Sequence, residues 1–378
     1  MTHPQPHPAR RYAFPELVAG LEHARSLGAV SAKRQGDLSL WTYTQSCVYG
    51  NLWDAFSLMA RGLILDHGAE TVVATPFPKF FNLGEHGLGI PDQPFEVAEK
   101  LDGSLIVIWH HRGGWHCSTK GAFDSDQAKW AQNVIDGMGA EQLAALQPGT
   151  TYLAECIGPQ NPIVVRYDAP AMVLLAAYAA DGMELSRGDL EALSRPLGWR
   201  LAGRHECNDV AELVAYAKHL PSTQEGFVLR FADGTRLKIK GAEYLRIHAL
   251  ISRCTPLGVW DAMFAKDDLD RIRHDLPEEF LADFDAIRGL LERQLDGLID
   301  RLSAAGARVA ALTDKELGLT LQEQPADIRP FLFAWRKSGG RVEGKLRDSL
   351  LRAVRPTANL LESYVPSYAM GRVLSEAG

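Results

Sequence analysis

Glu99-Lys100-Leu101-Asp102-Gly103-Ser104-Leu105-Ile106 is the stretch on which the reading of this 378-residue chain depends. A lysine, an acid and a glycine stand directly before the apolar run Leu105-Ile106-Val107-Ile108. The glycine predicts a turn, and the apolar run predicts a buried strand. Lys-x-Asp-Gly alone is a pattern that many surface turns satisfy. Its meaning rests on what the remaining sequence sets around it.

Downstream, the strand from Ser104 returns through Arg112-Gly113-Gly114 into Trp115 to Lys120, a predicted hairpin. A helix follows over about 125–138. Thr151 to Cys156 reads as a strand with Glu155 inside it. A carboxylate in so apolar a strand needs a partner. Ile163 to Tyr167 and Met172 to Ala176 read as two further strands, and helices are expected near 187–195 and 209–218. Gln224 to Phe231 and Arg236 to Lys240 flank an Asp233-Gly234 hairpin signal. Strand period two puts Lys238 and Lys240 on one face. Two such lysines repel unless an anion lies between them, although lysines also populate solvated sheet edges.

Upstream, 13–28 has helical spacing of Leu17, Leu21 and Leu27, and Leu38 to Tyr43 alternates as a strand does. Ala60 to Asp66 is a short buried-strand candidate. Its Arg61 is either a solvated strand end or a planar fork for phosphate oxygens. Pro76 to Asn82 reads as a stiff loop that holds Lys79 among aromatic residues, as a snorkelling stem or as a ligand contact. Gly84 to Gly89 neither opens on a Gly-x-Gly nor leads into a helix, so it is not read as a dinucleotide loop.

Bulk properties narrow the class. The chain is 46% hydrophobic and 23% charged, which fits a globular protein of about two domains. It has no apolar run near twenty residues and no signal-like start, so no membrane partner is expected. Residues 1–10 read as a flexible tail. Cys47, Cys117, Cys156, Cys207 and Cys254 form no C-x-x-C pair, which points to a reducing cytoplasm rather than to zinc or disulfides. A net charge of −7 disfavours a broad nucleic-acid coat yet permits a local basic cleft.

Beyond about residue 250 the texture is helical. Phe280, Phe284, Ile287, Leu291, Leu295, Leu298 and Leu302 recur at three- and four-residue steps. Gly339 to Lys345 has phosphate-loop spacing, but Leu346 stands where Ser or Thr belongs and no apolar strand leads into it.

One turn lysine, a strand arginine, several further lysines and two strand-borne glutamates suit a polyphosphate substrate and an amine nucleophile. A free lysine, with pKa ~10.4, is mostly protonated at neutral pH. Neighbouring cations and partial burial favour the neutral amine. The same cations would neutralise a transferring phosphoryl group.

The ordered set Lys100-x-Asp102-Gly103, Glu155, Glu225-Gly226 and Lys238-x-Lys240 resembles the covalent nucleotidyltransferases, the ATP-dependent ligases and capping enzymes. The closer resemblance is to the T4 phage RNA ligase 1 family. It is carried by Tyr43, Ala60-Arg61-Gly62, Lys79-Phe80-Phe81-Asn82, Glu99 to Leu105, Ser118 to Gly121, Glu155 with Ile163-Val164, Glu225-Gly226 and Leu237 to Lys240. It covers roughly residues 35–250. The implied fold is α+β: an adenylyltransferase domain over 11–250 of antiparallel sheets with flanking helices, ATP-grasp-like, then an all-helical domain over 251–378.

By this resemblance Lys100 would form lysyl–AMP, and Glu155 would bind the ribose hydroxyl. Arg61 and Lys79 would hold the β and γ phosphates, and Lys238 and Lys240 the α phosphate. Tyr43 would line the nucleotide pocket, with Lys120 near the phosphates. Glu225 and Asp267 would serve a magnesium or manganese ion. The implied substrates are ATP and RNA with 5′-phosphate and 3′-hydroxyl ends, tRNA among them, with end healing left to a separate kinase–phosphatase. After Lys240, Gly241-Ala242-Glu243-Tyr244 keeps the family's tyrosine and lacks the aromatic before it. A DNA ligase or capping enzyme would carry an oligonucleotide-binding barrel where this chain reads helical. A catalytically silent RNA-binding protein would not need Lys100, Glu155, Glu225, Lys238 and Lys240 together.

Overall fold

The structure, a computed structural model, describes residues 5–159, 163–276, 280–357 and 360–366. The chain divides into two compact units, Met1–Ile247 and His248–Gly378.

Three sheets build the first unit. In the first, β1 (Val30–Gln35), β2 (Leu38–Tyr43), β3 (Arg61–Asp66) and β4 (Thr71–Ala74) lie in that order, all antiparallel. Next along the chain come β5 (Phe81–Asn82), β6 (Phe95–Lys100), β7 (Ser104–His111), β8 (Gly114–Thr119), β9 (Thr151–Ile157), β10 (Ala171–Tyr178), β11 (Arg200–Leu201), β12 (Arg204–His205), β13 (Gly226–Phe231) and β14 (Arg236–Lys240). The second sheet has the order β11-β10-β9-β7-β8, and the third has β12-β6-β13-β14-β5. Among the described residues, only the short β11 and β5 pair in parallel.

The continuous apolar run of β7 has a simple cause: this strand is buried on both faces. Val107 joins Leu38, Leu40 and Ile64 of the first sheet in one core. Ile106 and Ile108 face the other way, into a core shared with Ala131 and Ile135 of the helix Asp126–Asp136 and with Leu190 and Leu197 of the helix Arg187–Leu197. The third sheet packs Val97, Phe227, Leu229 and Ile239 against Leu213 and Ala217 of the helix Val210–Ala217.

This topology gives the Lys100 turn its importance. β6 belongs to the third sheet and β7 to the second, so residues 101–103 carry the chain across the junction. The crossing passes hard against β9. A Cβ on Gly103 would stand 2.4 Å from the Cys156 carbonyl oxygen, which leaves room only for glycine.

The second unit is helical among the described residues. Its longest helix, Leu281–Arg308, buries Phe284, Ile287, Leu291, Leu295, Leu298 and Leu302, as the spacing predicts. Residues 339–343 lie between the helices Leu332–Lys337 and Gly344–Ala353, Gly344 and Lys345 open the second helix, and a helix rather than a strand leads into the segment. Among the described residues no helix is long and apolar enough to cross a membrane. All five cysteines are free thiols.

Two expectations are corrected. The N-terminal segment is not a loose tail from residue 5 on. His7 is buried, its Nε2 lies 2.7 Å from the Pro76 carbonyl, and Pro8–Arg10 forms a 3-10 turn. Burial holds this imidazole neutral, lowering its pKa to about 3. Proline-rich composition suggested solvation, whereas one aromatic side chain with a carbonyl partner suffices to dock the segment. Residues 163–167 do not form a strand. The Val164 and Val165 amides donate to Asp102 Oδ2, at 2.8 and 2.7 Å, in place of a strand neighbour.

Candidate active site

Three strands of the third sheet bring the principal charges together. Gly226 opens β13 and is in register with Lys100 at the end of β6 and with Lys240 at the end of β14. The two lysines therefore flank one glycine. Gly226 has φ 149°, and a Cβ there would stand 2.0 Å from the Ile239 carbonyl oxygen. The preceding residue, Glu225, is only 3% exposed. Its Oε1 lies 2.7 Å from Lys100 Nζ and 3.3 Å from Lys240 Nζ. Its Oε2 is buried and has no hydrogen-bond partner among the described residues. Buried polar atoms are nearly always paired, so this oxygen is a natural seat for something bound.

Asp102 fixes the turn. Besides the two valine amides it accepts the Tyr244 hydroxyl at Oδ1, 2.7 Å, and its own amide donates to the Tyr167 hydroxyl at 3.1 Å. It thereby ties together segments some 60 and 140 residues distant in sequence. Beside it Glu99 Oε1 accepts from the Gly203 amide at 2.6 Å and from Arg200. These partners were invisible in the motif, where Asp102 counted only as a letter of the pattern.

Glu155 sits on β9, in register with Leu105 of β7. A Cβ on Gly103 would meet its Cγ at 3.0 Å, so this glycine also lets the Lys100 turn approach the carboxylate. Burial pushes the Glu155 pKa up from 4.5 to about 7, against the opposing pull of Lys100 and Arg61 and with the help of Glu225 and Asp102. This has a consequence for stability. The folded chain keeps the Glu155 proton up to about pH 7, whereas the unfolded chain releases it near 4.5. Stability is therefore lost as pH rises through that window. Glu155→Gln should match the parent's melting temperature below pH 4.5 and exceed it, on the order of 5–10 °C, above pH 7. Thermal unfolding across the range checks this, and a pH-independent difference would refute it.

A second group of cations comes from the first sheet and the loop after it. Arg61 starts β3, and its Nη1 is buried without a hydrogen-bond partner among the described residues. Its guanidinium stands over the Phe80 ring at 5.5 Å. Lys79 is not a snorkelling surface stem: it is 8% exposed, and its ammonium lies 4.9–5.5 Å from the ring centres of Phe81, Trp53 and Tyr43. Such contacts contribute roughly 0.5–2 kcal/mol each. Lys120 Nζ also lies 5.5 Å from the Tyr43 ring centre. Tyr43, expected to line a nucleotide pocket, thus stands against two lysines.

Lys238 pairs in register with Val228 on one side and Asn82 on the other. Asn82 Nδ2 donates to Glu85 at 2.9 Å, while its Oδ1 is buried without a partner among the described residues. Asp267 lies in the second unit, where its amide donates to the Ala262 carbonyl at 3.0 Å. Trp53 carried no distinguishing signal in sequence, and Asn82 entered only as the last residue of the Lys79-Phe80-Phe81-Asn82 landmark, with no role of its own. Tryptophan reads as core, and Asn82 reads as the end of a loop.

The donors present fit a polyphosphate. An orphaned guanidinium N–H stands with several ammonium groups, donors of the kind that bind anionic oxygens. For a divalent ion the chain offers little by itself: among the described residues no group of three or more His, Cys, Asp or Glu could hold one. One carboxylate oxygen with no partner fits an ion that is carried mainly by phosphates and water, as magnesium is.

A family model described as RNA ligase, of the T4 type 1 group, matches residues 59–244. RNA ligase 1 of Bacteriophage TS2126 is 27% identical over 369 residues, covering 90% of this chain and 90% of the phage protein. A protein of Autographa californica nuclear polyhedrosis virus named as a bifunctional polynucleotide kinase/RNA ligase is 30% identical over 223 residues, covering 51% of this chain and 31% of the viral protein. This chain thus spans about a third of that relative. Among solved structures, an archaeal ATP-dependent RNA ligase is 16% identical, covers 63% of this chain and 65% of its own, and gives a TM-score of 0.48.

Antiparallel sheets that converge on a strand-end lysine, with helices around them and a helical C-terminal unit, make an α+β nucleotidyltransferase fold. Over residues 59–244 the chain matches the T4 RNA ligase 1 family.

Proposed function

We propose that the chain is an ATP-dependent RNA ligase that joins 5′-phosphate and 3′-hydroxyl ends through lysyl–AMP and RNA–adenylate intermediates. The observation that carries this reading is Lys100 Nζ, held 2.7 Å from the buried Glu225 carboxylate at a junction of two sheets. The ammonium must lose a proton before it can attack, and this carboxylate oxygen lies within proton-transfer distance. The Lys100 nitrogen then forms a bond to the α-phosphorus of ATP, and the bond to pyrophosphate breaks. An RNA 5′-phosphate oxygen next displaces the lysine, which regains its proton. Finally a 3′-hydroxyl attacks that 5′-phosphorus and AMP leaves.

Arg61 and Lys79 receive the departing pyrophosphate, with Lys120 beside them. Lys238 and Lys240 neutralise the α-phosphoryl group, and Glu155 holds the ribose. Tyr43, against Lys79 and Lys120, lines the nucleotide pocket. A magnesium or manganese ion would add charge neutralisation on the phosphates, with Glu225 Oε2 to hold it or its water. The helical stretch after Lys240 supports an RNA ligase over a DNA ligase or capping enzyme. The physiological role that fits is RNA repair in the cytoplasm, with tRNA as one substrate and end healing by a separate kinase–phosphatase.

The test is incubation with radiolabelled ATP and magnesium, followed by sealing of 5′-phosphorylated RNA and of matched DNA. The expected result is an acid-labile adduct, reversed by pyrophosphate, and sealing that favours RNA. Absence of the adduct would sink the proposal in favour of a silent RNA-binding protein.

A further inference from the structure

We infer that Trp53 is a positioning residue for Lys79 and thereby for the pyrophosphate half of the reaction, an inference that rests on the function proposed above. Trp53 lies in the link between the short helices Gln45–Gly50 and Ala55–Met59, a segment to which the sequence motifs assign no role. Its ring stands edge-on to both Tyr43, at 5.1 Å between centres, and Phe81, at 5.3 Å. Together the three rings make a box around the Lys79 ammonium. Tyr43 comes from β2, Phe81 from β5 and Trp53 from the helix link, so distant segments must fold correctly before the box exists.

The physical logic is that of a charge held by ring faces. An aromatic face attracts an ammonium through its quadrupole while leaving the formal positive charge intact. A lysine placed in this way keeps its charge, and it has lost most of the rotamer freedom that an exposed lysine would surrender on binding. Trp53 also lacks the usual anchor of a half-buried tryptophan: its indole N–H is buried without an acceptor among the described residues. Its polar handle meets no acceptor among the described residues, so its ring is what the fold uses.

This reading separates steps. Lys79 acts on the phosphates that leave when Lys100 is adenylated. It has no such partner when pre-adenylated RNA is sealed. Trp53→Leu should therefore raise the KM for ATP in adduct formation, and the pyrophosphate concentration needed for its reversal, by about tenfold, the cost of one weakened cation contact. Sealing of pre-adenylated RNA by the same variant should stay within about threefold of the parent, which also shows that the protein is folded. Trp53→Phe keeps a ring and removes the orphaned N–H, so it should restore ATP binding to within about threefold.

The inference is overturned if Trp53→Leu leaves the KM for ATP unchanged, if both steps fall together, or if Trp53→Phe is as impaired as Trp53→Leu. These outcomes differ from failure of the ligase reading itself, which would appear as no adduct in the parent protein.

Discussion

Lys100→Ala is expected to form no covalent adduct with labelled ATP, a loss on the order of 10⁴-fold or more, as befits removal of a nucleophile. The reason is geometric. Lys240 Nζ touches the same Glu225 oxygen, yet it approaches from the opposite side of Gly226. An in-line attack on one phosphorus cannot be served equally from both sides. Lys100→Arg sharpens the test. A guanidinium preserves the charge and can pair with Glu225, but it has no lone pair to offer at any accessible pH. It should keep the fold and still form no adduct. Both variants should retain sealing of pre-adenylated RNA, because that step breaks no bond to Lys100. Labelling of either variant at the parent's rate would assign the nucleophile elsewhere.

The second large effect is expected at Glu225. Its carboxylate is the shared counter-charge of two lysines, Lys240 with 8% side-chain exposure and Lys100 with 22%. Glu225→Gln should slow adenylation by roughly 10²–10³-fold, the range for loss of a proton acceptor at the reacting group. It should also cost about 2 kcal/mol or more of stability, since breaking a buried pair leaves uncompensated charge. Partial exposure of Lys100 keeps that figure toward the lower end. Urea unfolding gives the second quantity, and Glu225→Gln combined with Lys240→Gln should recover part of it, because the charge left unpaired is then removed as well. An unchanged urea midpoint with normal adenylation would show that the pair is incidental.

Much of this site is legible in the amino-acid sequence. Strand period places Lys238 and Lys240 on one face, the odd carboxylate within 151–156 stands out, and the helical texture after about residue 250 is plain. Period and composition are local, so the sequence carries them directly. The motif also marks Lys100, Asp102 and Gly103 as a unit, although it gives no physical account of the aspartate. The errors fall where long-range contacts override local preference. His7 docks because a carbonyl 69 residues away accepts from it. Residues 163–167 are irregular because the Val164 and Val165 amides turn to Asp102 instead of to a neighbouring strand.

By itself, then, the sequence determined most of the order of strands and helices and the identity of the charged residues, since each follows from spacing along the chain, while the family resemblance implied the α+β class. Only the tertiary structure decided which of them meet. It set Lys100 and Lys240 on either side of Gly226, gave both to Glu225, and enclosed Lys79 with Trp53. Those pairings depend on strand register and on close backbone approach between β6, β13 and β14, and of the Lys100 turn to β9, distances that no local pattern encodes.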